Sequence, residues 1–184
     1  MSQKTFVALG ASITAGYPYK HKDSWVEQVG RATGWRTINA GVPGDTFADL
    51  YERLEDDVFY HYPHIVSVMA GTNDCFQGFS QSEMQQNFLR ILEKLTAQKI
   101  QVIVGLPLPV DTPQEAQLKV LRSWLRAYAA ENGFVIIDFA QDFFNEKGEI
   151  QEELLLDGCH PTREGYALMG ERAISSLRAQ GLFA

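Results

Sequence analysis

Four short apolar runs rich in β-branched residues, each followed by a longer amphipathic stretch, set the tightest limit on how this chain can fold. Residues 6–9, 65–69, 102–106 and 135–137 are almost continuously apolar, as strands buried on both faces must be. Residues 35–38 form a weaker fifth candidate. Strand and helix alternating five times demand right-handed crossovers between parallel strands. The expected product is an α/β fold, a three-layer α/β/α sandwich.

The stretches between the runs read as helices. Asp45 and Thr46 offer an N-cap ahead of Phe47, Leu50, Leu54 and Val58, spaced three, four and four apart. Ser82 opens a second stretch with Met84, Phe88, Ile91, Leu92 and Leu95 on one face. Pro113 begins a third carrying Leu121, Trp124, Leu125 and Tyr128. Pro161, a good first-turn residue, begins the last, through Tyr166, Met169, Ala173 and Leu177. Trp25, Val26 and Val29 suggest a shorter helix before the second strand.

Composition decides between function classes. With 184 residues, burying about 70% of the extended chain's surface needs no covalent staples, and residues 1–184 are expected to form a single domain. The 16 Lys and Arg against 23 Asp and Glu, without a basic cluster, argue against nucleic acid as a partner. No apolar run reaches the length of a secretory core or a membrane span. A cytoplasmic location without stable membrane insertion is expected. Cys75 and Cys159 are too few for a disulfide framework, and two reduced thiols are expected rather than a pair. Nothing in the chain sets its oligomeric state.

In an open parallel sheet, ligands bind beyond the carboxyl ends of the strands, so the loops that follow strands are where chemistry belongs. The first holds Gly10, Ala11, Ser12, Ile13 and Thr14; the second Asn39, Ala40 and Gly41; the third Gly71, Thr72, Asn73 and Asp74. A fourth, just before the last helix, holds Asp157, Gly158, Cys159 and His160. A serine needs a positioned base to become a nucleophile. Ser12 sits where a strand turns, His160 supplies an imidazole, and Asp157 lies close enough to hold its tautomer. An oxyanion would need donors, which the N–H groups of Ser12 and Gly41 and the side-chain amide of Asn73 can provide. Glycine at 41 leaves no Cβ in the way of a substrate.

These four blocks, in this order and spacing, resemble the SGNH hydrolases, also called the GDSL esterase/lipase family, across essentially the whole chain. The resemblance implies a flavodoxin-like sandwich with a central five-stranded parallel sheet. It implies Ser12 as nucleophile, His160 as base supported by Asp157, and Gly41 and Asn73 as oxyanion donors, with no cofactor and no metal. One departure stands out: the family signature has Asp before the serine, and this chain has Ala11. A carboxylate that could pin the nucleophile loop is therefore missing.

The expected activity is hydrolysis of a small-molecule ester or thioester by acyl transfer, as in an esterase, acylhydrolase or lysophospholipase. A carbohydrate acetylesterase would use the same residues. The alternative from another class is a non-catalytic flavodoxin-like module cradling a phosphate on Ser12 and Thr14, a reading that leaves Asp157, His160 and Asn73 idle. Tyr17, Phe76, Phe79, Leu108 and Val110, all in catalytic-edge loops, are the candidates for holding the acyl group. His61 and His64 precede the third strand and belong to the opposite edge, and His21 belongs to an exposed loop. Asp74 and Asp138 are expected to cap helices or tie loops.

Overall fold

A parallel sheet covered on both faces must send successive strand residues into opposite apolar layers. The computed structural model, which describes residues 3–183, shows this in the three central strands: β1 (Thr5–Gly10), β3 (Ile65–Met69) and β4 (Gln101–Leu106). Val7, Leu9, Val66, Val68, Val102 and Val104 enter one buried cluster, and Phe6, Ala8, Ile65, Met69 and Ile103 enter the other. The edge strands are β2 (Arg36–Gly41) and β5 (Val135–Asp138). All pairings are parallel, and the order is β2-β1-β3-β4-β5. This is the doubly wound flavodoxin-like order, and the expected sandwich is the observed fold.

The first layer is covered by α3 (Phe47–Glu52), α4 (Leu54–Asp57), α6 (Gln81–Ala97) and α7 (Glu115–Asn132). They contribute Phe47, Leu50, Leu54, Met84, Phe88, Ile91, Leu118, Leu121 and Leu125. The opposite layer is covered by α2 (Trp25–Thr33) and α8 (Arg163–Ala179), through Trp25, Val26, Val29, Tyr166, Met169, Ala173 and Leu177. Two short helices, α1 (Ser12–Ala15) and α5 (Thr72–Phe76), start directly after β1 and β3.

Three expectations shift in detail. The helix expected across 45–58 is broken in two at Arg53, where the backbone leaves helical geometry (φ −103°, ψ 14°). Leu54 and Val58 nevertheless stay buried. The second helix begins a residue earlier than Ser82, because Ser80 closes a capping box: Glu83 N–H donates to Ser80 Oγ at 3.2 Å, and Ser80 N–H to Glu83 Oε2 at 2.8 Å. The last helix is capped by Thr162 rather than started by Pro161, since Thr162 Oγ1 accepts the Gly165 N–H. The apolar spacing that defined each helix is unaffected. Among the described residues, no helix is long and apolar enough to cross a membrane.

The chain leaves β1 for the neighbour on one side and later returns to β3 on the other. A crevice opens where the winding reverses, beyond the carboxyl ends of β1 and β3. Those ends lead into Ser12 and Asn73.

Candidate active site

Ser12 is the first residue of α1, two positions beyond the last residue of β1, and it is buried. Its Oγ lies 3.0 Å from His160 Nε2. His160 Nδ1 lies 2.8 Å from Asp157 Oδ2. The other carboxylate oxygen, Oδ1, accepts the backbone N–H groups of His160 at 2.8 Å and Cys159 at 3.1 Å. With a carboxylate facing Nδ1, the neutral ring carries its proton there and leaves Nε2 as an acceptor for the serine hydroxyl. Burial works against charge on Asp157, but the hydrogen bonds from the His160 backbone and ring and from Cys159 outweigh it and hold the carboxyl below its ordinary value. A carboxyl lowered in this way favours the native state above its unfolded pKa. It loses that contribution only as pH falls through the lower folded value, so Asp157 stays ionised through mild acid.

The loop that carries this pair is fastened on several sides. Leu155 and Pro161 form an antiparallel bridge, Leu156 N–H donates to His160 O at 2.8 Å, and Asp111 N–H donates to Gly158 O at 2.7 Å. Tyr17 packs edge-on against the His160 ring, centroids 4.8 Å apart. Its own backbone is held by Tyr166, whose hydroxyl donates to Tyr17 O at 2.8 Å.

Asn73 comes from α5, after Gly71 at φ 110°, a left-handed conformation that glycine adopts without strain. One hydrogen of its amide goes to Asp45 O at 2.8 Å, and among the described residues the second meets no acceptor. Gly41 is different. Its N–H donates to Asn39 Oδ1 at 3.1 Å, and Asn39 is itself fixed by donating to Thr14 O and Ser24 Oγ. The expectation that glycine at 41 clears a path for substrate is corrected. A Cβ there would come within 2.2 Å of Ala15 N and 2.7 Å of Ala15 Cα, so the glycine allows the end of β2 to pack on α1.

A cleft of about 220 Å³ opens over these groups, lined by Ser12, Asn73, Asp157 and His160. Of the five acyl-site candidates, only Phe76 lines it, and Phe76 is exposed at the rim. Tyr17 borders it through His160. Leu108 and Val110 are corrected: the segment after β4 turns inward and buries them completely in the two opposite cores. Phe79 is corrected too, since it packs against the first core layer and its carbonyl accepts the Gln117 amide. Sequence reasoning missed Ile13, Met69 and Pro107, which line the cleft. Their shared signal is position, each within three residues of a strand's carboxyl end.

The other polar candidates have local roles. Asp74 is buried and accepts the Phe47 N–H at the start of α3. Burial, against that hydrogen bond, pushes its carboxyl up to about 6. Asp138 pairs with Arg126, and His64 Nδ1 accepts the Thr5 N–H at the far edge of the sheet. Both cysteines are free. Burial first, then the nearby Asp157 charge, pushes the Cys159 thiol up to about 11, so it stays a thiol. Among the described residues, no three His, Cys, Asp or Glu side chains come together as a metal-binding group.

A family model described as GDSL-like Lipase/Acylhydrolase matches residues 8–168. The Esterase TesA of Pseudomonas aeruginosa is 25% identical over 166 residues, covering 86% of this chain and 80% of that protein. An acetylxylan esterase of Geobacillus stearothermophilus is 25% identical over 152 residues, covering 74% of this chain and 69% of that one. The solved structure of a lipolytic protein of the G-D-S-L family from Desulfitobacterium hafniense superimposes with a TM-score of 0.89 at 32% identity, over 95% of this chain and 100% of that one.

Proposed function

This chain belongs to the GDSL-like lipase/acylhydrolase family and is a serine ester hydrolase, and on that premise we propose that it cleaves short-chain esters through Ser12, His160 and Asp157. The observation that carries the reading is the unbroken line from Ser12 Oγ through His160 to Asp157, with contacts of 3.0 and 2.8 Å. Ser12 Oγ attacks the carbonyl carbon as its proton passes to His160 Nε2. The oxyanion is received by the Ser12 N–H and the free Asn73 amide hydrogen, with the Gly41 N–H shared between it and Asn39. Collapse expels the alcohol, which takes the proton back from the imidazolium. A water activated by the same ring then frees the acid and restores Ser12.

The cleft supports a small substrate, since its volume lies below the roughly 300–1,000 Å³ of sites for drug-sized ligands. A second reading, removal of acetyl groups from a sugar, is favoured by the relationship to the acetylxylan esterase. Two free thiols suit a reducing compartment, and we place the enzyme in the cytoplasm.

A fluorophosphonate probe, followed by peptide mapping, is expected to mark Ser12. Among p-nitrophenyl esters, acetate and butyrate are expected to turn over faster than palmitate. Label on another residue would overturn the nucleophile, and best turnover on palmitate would overturn the small-substrate reading.

Protonation of His160 removes the base, so kcat/KM is expected to fall about tenfold per pH unit along a single acid limb. Asp157, held low, adds no second ionisation to that limb. Asp74→Asn should leave the limb in place, because Asp74, pushed up to about 6 by burial, takes no part in the proposed chemistry. A profile flat from about pH 5 to 8 would remove His160 as base.

A further inference from the structure

We infer that Arg53 is the positioning residue for all three oxyanion donors, an inference that rests on the acyl-transfer reading and adds a residue to it. Its guanidinium sits behind the cleft, with the side chain 17% exposed. Nη2 donates to Gly10 O at 2.9 Å and to Ala40 O at 2.8 Å. Nε donates to Asp45 Oδ2 and Nη1 to Asp57 Oδ2, each at 2.6 Å. Arginine's planar fork fixes the angles between its donors, which a lysine ammonium does not.

Each donor of the proposed oxyanion hole is a short step from that fork. Gly10 O ends β1 at the turn that presents the Ser12 N–H. Ala40 O belongs to the same peptide unit as the Gly41 N–H. A cation on the oxygen of that unit draws electron density towards it and makes the N–H a stronger donor. Asp45 accepts the guanidinium with its carboxylate and the Asn73 amide with its main-chain oxygen. Burial raises the Asp45 carboxyl and the hydrogen bond and charge of Arg53 oppose it. One residue thereby sets the spacing of the loops after β1, β2 and β3. It also answers the departure at position 11: Ala11 makes no side-chain capping bond, and the nucleophile turn is held through Gly10 instead.

The test uses Arg53→Lys and Arg53→Met, with Asp57→Asn as control. Active sites are counted by the end point of fluorophosphonate labelling, and folding is followed by thermal melting. In Arg53→Lys, kcat per labelled site for p-nitrophenyl acetate is expected to fall about ten- to a hundredfold, with KM within about threefold. Affinity for a trifluoromethyl ketone, which binds as a tetrahedral adduct, should fall by the same factor as kcat/KM. Asp57→Asn, which removes only the outer ion pair, should keep the wild-type kcat. Wild-type kcat per site in Arg53→Lys would overturn the inference, as would fewer sites or a lower melting temperature with unchanged turnover at those that remain. Should Arg53→Met not fold, Arg53→Lys, which keeps stem and charge, decides. Failure of the underlying reading would show separately, as a wild-type enzyme that is not labelled at Ser12.

Discussion

Ser12→Ala is expected to lower kcat for short-chain esters by about four to six orders of magnitude and to leave the fold in place. The Ser12 side chain makes one hydrogen bond, to His160 Nε2. Its loss costs about 1 kcal/mol, and alanine at the start of α1 restores part of that through its higher helix propensity. Without Oγ no acyl-enzyme is expected to form, so p-nitrophenyl acetate should give a burst of alcohol release with the wild type and none with this variant. Circular dichroism and thermal melting verify that the variant is folded. Turnover above about a hundredth of wild type, with the fold intact, would require another nucleophile.

The second large effect is expected at Asn73. Removing one preorganised oxyanion donor costs about 10²–10³ in kcat, roughly 2.7–4 kcal/mol of transition-state stabilisation. Asn73→Ala should fall in that range, with KM for a small acetate ester nearly unchanged, because the neutral carbonyl needs the donor far less than the oxyanion does. The variant also leaves Asp45 O without its amide partner, so a loss of stability of about 1 kcal/mol is expected. Asn73→Asp occupies the same space but puts an acceptor where the donor stood, and it should be no better than alanine. A wild-type kcat in Asn73→Ala would exclude the amide from the oxyanion hole.

Most of the architecture was legible because it is written in local patterns. Strands buried on both faces have to be continuously apolar, and residues 6–9, 65–69 and 102–106 could hardly be anything else. The polar residues of the site were legible for a related reason: once the sheet is parallel, only loops after strands can carry chemistry, and Ser12, Asn73 and His160 all meet that condition. Leu108 and Val110 show the limit of the rule. They follow a strand, but the segment after β4 folds back into the core, and adjacency in sequence says nothing about that turn.

Arg53 was illegible for a different reason. Its principal acceptors are main-chain carbonyls of residues 43 and 13 positions away, and any residue type could supply those. A sequence shows side chains and hides which carbonyls at a strand's end come within reach of them. The trace it did leave was a cation between Asp45 and Asp57, in a segment read for its N-cap and its apolar spacing. The helix break at Arg53 was hidden too, since Leu54 and Val58 keep the same apolar rhythm on either side of it.

Ser12 and His160 touch across a separation of 148 positions. The loop bearing His160 leads into α8, which is anchored on α2 by the Gln28 amide donating to Tyr166 O. During synthesis Ser12 therefore emerges 148 residues ahead of its proposed base, and the two meet only when that later segment has docked. On the same proposal, a chain cut ahead of residue 157 is expected to carry an unactivated hydroxyl at Ser12. On the proposed triad, ester hydrolysis therefore reports that two parts of the chain 148 positions apart have met.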